Sequence, residues 1–158
     1  MLATDEIILN ILLDAKSDGN DLLKYFKINY PSNALAEESN SIFVASVDAE
    51  AHTVAFDSQS FVDKVEVLIV TKNREYQNAI RIIKTVSREV IRLVMEKQDL
   101  FPTKPIVERV TPEYNKDYVV TRGHIMFQVK TGMDNFDITE ETATICQILT
   151  DEMDVIEE

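Results

Sequence analysis

The clearest periodicity in the chain runs from Glu75 to Lys97. Ala79, Ile82, Ile83, Val86, Val90, Leu93 and Val94 recur there on one face of a 3.6-residue repeat, with no internal Gly or Pro. This spacing predicts a long amphipathic helix. Before it, Phe61 to Val70 alternates Val65, Val67 and Ile69 against Lys64 and Glu66, the pattern of a strand with one buried face. Leu68 and Val70 break the alternation, so the end of that strand needs cover on both faces. Shorter strand-like runs at Ile42 to Val47 and Thr53 to Phe56 precede it. Two more, about Pro105 to Thr111 and Tyr118 to Lys130, follow the helix and are joined by a polar connection around Glu113 to Asp117.

Near the N-terminus Thr4 offers an N-cap, and Asp5 and Glu6 suit the positive end of a helix dipole. Ile7, Ile8, Leu9, Ile11, Leu12 and Leu13 then go almost all the way round a short helix, which predicts cover from its own sheet and from something beyond it. Asp18-Gly19-Asn20, Tyr30-Pro31 and Ser39-Asn40-Ser41 make residues 14 to 41 a long connection, with one helical turn around Leu22 to Phe26. The order of elements predicts an α+β fold: an antiparallel or mixed β-sheet with one long helix packed on a face and a shorter N-terminal helix. Val65, Val67, Ile69, Ile83, Val86, Val90, Ile125, Phe127 and Val129 are its expected core. Residues 1 to 133 read as a single domain and 134 to 158 as an acidic C-terminal segment.

A chain of 158 residues with 45% hydrophobic content is long enough to bury roughly 70% of its unfolded surface in one core. The run from Ile7 to Leu13 follows two acids and is too short to span a bilayer, so it reads as neither signal peptide nor anchor, and no membrane is implied. A single cysteine, Cys146, forms no internal disulfide and fits a reduced cytoplasm.

The net charge of −12 is unevenly placed. Nine of the 28 acids follow Lys130, where there is no Lys or Arg, leaving 19 acids against 16 bases in the body. Asp137, Glu140, Glu141, Asp151, Glu152 and Asp154 mark this segment as an acidic partner surface, one that repels phosphate. Arg74, Arg81, Lys84, Arg88 and Arg92 fall within about 80° on the helix side opposite the apolar stripe. That basic ridge is either a solvated face lightly paired with Glu89 and Glu96, or a contact for another subunit or for DNA. Ile80 and Ile91 widen the apolar arc on one flank of the same helix.

Catalytic chemistry finds little to work with. His52 sits by a turn and His124 in a strand with no acid within two residues, so each reads as a surface or satisfied histidine. Cys146, between Ile145 and Ile148, reads as a buried or interfacial small hydrophobe. Asp14-x-Lys16 has the spacing of a metal-dependent nuclease but lies at a helix end. The acids at 134 to 141 lack the ligand spacing and central glycine of a calcium loop, and three glycines are too few for a phosphate cradle. No enzyme, metal or cofactor is expected.

Two stretches, FVDKVEVLIVTKNREYQNAIRIIKTVSREVIRL and IVERVTPEYNKDYVVTRGHIMFQV, then carry a resemblance. In the first, a strand ending VEVLIV passes through Thr71-Lys72-Asn73 into a helix beginning Glu75-Tyr76; in the second, a hairpin follows. Over residues 42 to 130 the chain resembles the tail terminator, or tail-completion, proteins of long-tailed bacteriophages. The resemblance implies a structural virion protein in the tail, assembled in the host cytoplasm. It implies a homo-oligomer, a hexameric ring that caps the tail tube protein and meets a head-completion or connector protein, with DNA passing through unread. Those proteins have no residue-level signature, so no functional position is carried over. The alternative is a small non-catalytic module that binds DNA or protein through the basic helix face.

Overall fold

Because successive side chains of a strand point to opposite faces, Val65, Val67 and Ile69 all point to one side, and the helices collect there. The computed structural model describes residues 2–31, 40–55, 58–73, 75–114, 120–132 and 138–157. The central strand β3 (Ser58–Thr71) pairs antiparallel with β2 (Ser41–Ala55) on one edge and with β5 (Thr121–Gly132) on the other. Strand β4 (Ile106–Tyr114) closes the far edge against β5, and the short β1 (Lys27–Asn29) runs parallel to β2. The order β1-β2-β3-β5-β4 is therefore a mixed sheet. Helices α1 (Thr4–Ser17) and α2 (Tyr76–Glu96) cover one face of it. A third helix, α3 (Ile138–Glu157), follows β5.

All nine expected core residues are buried, between α2 and the three inner strands. Ile42 and Val44 extend their rows into β2 through the pairs Ile42↔Ile69 and Val44↔Val67. Val70 is fully buried on the opposite face and Leu68 half-buried, as the broken alternation requires. Gly123 lets α2 come close: a Cβ there would lie 2.4 Å from Ile83 Cγ2, where no side chain fits without movement.

Several local expectations change. The runs from Ile42 and from Thr53 are one strand, because the polar stretch between them keeps pairing with β3 through irregularities at Ser46/Asp48 and Thr53/Ala55. Phe56 and Tyr118, placed at strand ends from the sequence, lie outside the described residues. Thr4 is not the N-cap. Ala3 holds that position without a side-chain cap, and the Thr4 hydroxyl donates instead to Asp63 Oδ2 at 3.0 Å, tying α1 to β3. The apolar α1 is covered largely within the chain, Leu13 alone of its predicted apolar residues staying exposed. Ile7, Ile8, Leu9, Ile11 and Leu12 are buried within the chain, because the connection returns Leu23, Phe26 and Ile28 to the same core.

That connection is anchored by α1's C-terminus. Gly19 (φ +85°) follows Asp18, with Gly19 N–H donating to Lys16 O and Asn20 N–H to Ala15 O, the paired bonds of a Schellman motif. Asn20 Oδ1 then accepts from the backbone N–H of Leu22 and Leu23, starting the 3₁₀ turn Leu23–Tyr25, while Asn20 Nδ2 donates to Glu89 Oε1 on α2. Hydrogen bonding from Arg92, and to a lesser extent from Asn20, holds the Glu89 carboxyl below the usual glutamate range.

Three outcomes follow from this packing. Val86→Asp buries an unpaired charge at a 2%-exposed site and abolishes cooperative unfolding in a denaturant titration. Gly123→Ala pushes against Ile83 and lowers stability by about 1–3 kcal/mol in urea unfolding. A lowered folded-state pKa at Glu89 means stabilisation that is present above the unfolded value near ~4.3 and is lost as pH falls through the folded one. Glu89→Gln is therefore less stable than the parent at neutral pH, and the gap between their urea midpoints narrows on acidification.

Candidate functional site

The face of the sheet opposite the helices mixes buried apolar residues such as Val70 and Met126 with polar pairs. There His124 Nδ1 lies 3.1 Å from Glu66 Oε1 and Nε2 lies 3.0 Å from Glu113 Oε2, so the ring links β3, β5 and β4. Neighbours in sequence offer His124 no acid, but cross-strand register supplies two. This satisfies the histidine and gives it no nucleophile to activate. The side chain of His52 lies outside the described ones. Among the described residues, no group of three His, Cys, Asp or Glu could hold a metal ion, and no helix is long and apolar enough to cross a membrane.

A cleft of about 970 Å³ lies between α1 and α2, floored by Ile7, Ile11 and Leu93. Asp14, Asp18, Asp21 and Glu89 dominate its rim, with Arg92 and Lys97 opposite. No imidazole or thiol lines it. Asp14 and Lys16 of the nuclease-like spacing do not act together, because Lys16 Nζ donates to Phe26 O at 2.7 Å.

The basic ridge is present on α2. Arg81, Lys84, Arg88 and Arg92 are exposed, whereas Arg74 lies outside the described residues. They differ in partners. Arg92 is pinned by Glu89 and Glu96, which raise its guanidinium pKa, and it faces the α1 cleft. Among the described residues, Arg81, Lys84 and Arg88 make no ion pair. Three bases therefore remain unneutralised on one helix face.

The acidic segment forms α3, which stands apart from the core: every described side chain from Thr142 to Met153 is exposed. Asp151 and Glu152 are among them; the side chains of Glu140, Glu141 and Asp154 and the whole of Asp137 lie outside the described part. Cys146 is exposed, which rules out burial in this chain and leaves the interfacial setting open, because no described residue covers it. Ile145, Ile148, Leu149 and Met153 are exposed as well, at 48–61%. They recur at i, i+3, i+4 and i+8, a spacing legible in the sequence but overshadowed there by the acids. The described residues include no ion pair between the ridge and α3.

A second unpartnered surface lies beside the ridge. Glu89, Arg92 and Leu93 turn one flank of α2 toward α1, so the opposite flank, carrying Ile80, Lys84 and Ile91, turns toward β4. The cross-strand pair Val110↔Ile125 puts Val110 on the helix-covered face of the sheet, yet Val110 is 42% exposed and Tyr114 37%. Tyr114 meets Tyr76 edge-on at 4.8 Å at the start of α2. Helix α2 reaches β4 but leaves Val110 and Tyr114 partly open beside it, a small apolar shelf bordered by Lys84 and Arg88.

No protein-family model and no curated protein matches the chain. Among solved structures, one chain in the virion of a native gene transfer agent particle is similar in fold, with a TM-score of 0.56 over 78% of this chain and 93% of that chain at 10% sequence identity.

Proposed function

We propose that the chain is a non-catalytic structural component of a virion, which closes into a ring capping the tail tube and forms the interface where head and tail join. The observation that carries this reading is the fold shared with a chain of a gene transfer agent virion across nearly that chain's whole length. It agrees with the strand–helix–hairpin resemblance over residues 42 to 130. The unpartnered surfaces support it too: an exposed amphipathic helix, an apolar shelf and a basic ridge suit a protein that acts by touching copies of itself and neighbouring proteins. In this reading the ring is a hexamer, its partners are the tail tube protein and a head-completion or connector protein, and DNA passes through without sequence-specific contact.

A second reading, a DNA- or protein-binding module using the helix face, is favoured by the unpaired Arg81, Lys84 and Arg88. The two separate experimentally. Quantitative mass spectrometry and cryo-EM of assembled particles find about six copies, per the resemblance, at the tube end. A single copy per particle overturns the ring. A duplex gel shift that is tight at low salt and falls steeply as salt rises, abolished in Lys84→Glu/Arg88→Glu, supports the module instead.

A further inference from the structure

The two unpartnered surfaces share a chemistry of opposite sign. On α3, Ile145, Ile148, Leu149 and Met153 span about 140° of the helix circumference, and Glu152 falls inside that arc. On the body, the exposed Val110 and Tyr114, with the half-buried Ile80 and Ile91 beside them, form an apolar strip edged by Lys84 and Arg88, which make no ion pair among the described residues. The strip is long enough for the apolar row, since Ile80 to Ile91 spans about 16 Å of α2 and Ile145 to Met153 about 12 Å of α3. Within one chain they are not joined, because Val110 and Tyr114 and the apolar row of α3 remain exposed.

We infer that α3 is an arm that docks on the α2–β4 shelf of a second copy of this chain. The contact presupposes the self-association proposed above and names the surfaces that make it. It is heterologous: the arm of one copy fills the shelf of the next, whose own arm stays free for a third, so the contact repeats around an axis until it closes. The apolar rows exclude water from the seam, and the acids set register against Lys84 and Arg88. The α1–α2 cleft is the competing seat. Its rim sets four acids, Asp14, Asp18, Asp21 and Glu89, against two bases, Lys97 and an Arg92 already paired with Glu89 and Glu96, a balance that disfavours a helix with no base of its own.

The single cysteine makes the test direct, because Cys146 already sits exposed on the arm. Val110→Cys places a second thiol on the exposed shelf of the full chain. Mild oxidation or a short bis-maleimide then joins residue 110 of one chain to residue 146 of another, with mixed isotope-labelled chains proving the link intermolecular by peptide mass. Cys146→Ser removes the link. Lys84→Glu/Arg88→Glu lowers its yield about tenfold, and mixing that variant with Asp151→Lys/Glu152→Lys restores it between the two chains. A 110–146 link within one chain overturns the inference, as does its absence both from the free chain at all concentrations and from assembled particles. Multimers or particle-bound rings that form without the link overturn the arm and leave the ring standing. Particles holding one copy refute the ring first.

Discussion

The seam between α2 and the sheet is the contact on which the rest of the structure depends. Six side chains of α2, from Ala79 to Val94, sink into a floor made by β3 and β5, and Gly123 brings the helix to within contact of that floor at Ile83. Close packing of this kind admits one azimuth of the helix. Once it is set, Glu89 and Leu93 must face α1, Arg81 and Arg88 must face solvent, and Ile80 and Ile91 must overlook β4. The buried face thus dictates which residues every other face displays.

Two helices cover a sheet of five strands, and their placement is lopsided. The first helix takes the side over β2, held by Leu23, Phe26 and Ile28 from the returning connection and by the latch from Asn20 to Glu89. Over the far edge α2 reaches β4 but leaves part of that strand's inner face open. Val110 and Tyr114 consequently keep inward-facing positions in the sheet without the burial such positions ordinarily have. Charges follow the same geography. Arg92, near α1, has carboxylates within reach, whereas Lys84, toward β4, and Arg88, facing solvent, have none among the described residues. Exposed ion pairs are worth only about 0–1 kcal/mol, so any strength at this edge comes from apolar area, and the charges choose register.

The described surface offers contacts more visibly than reacting groups. Its histidine is satisfied by two glutamates, its cleft lacks imidazole and thiol, and its cysteine is exposed with no group beside it that would activate it. What it offers are an exposed amphipathic acidic helix and an exposed basic helix face.

Local periodicity was enough to determine the α+β class, the long helix, the inner strands and all nine predicted core residues, because a 3.6-residue or two-residue repeat records which face is buried wherever one face is. The basic ridge and the charge imbalance were equally legible, being sums over neighbours in sequence. Contacts between distant segments were not. The union of two strand runs into β2, the turn of Thr4 toward Asp63, the two glutamates on His124 and the burial of α1 by its own connection each needed a partner from elsewhere in the chain. The exposure of Val110, Tyr114 and Cys146 was decided at the same level. A side chain's pattern says which way it faces; only the packing of other elements decides whether anything is there to meet it.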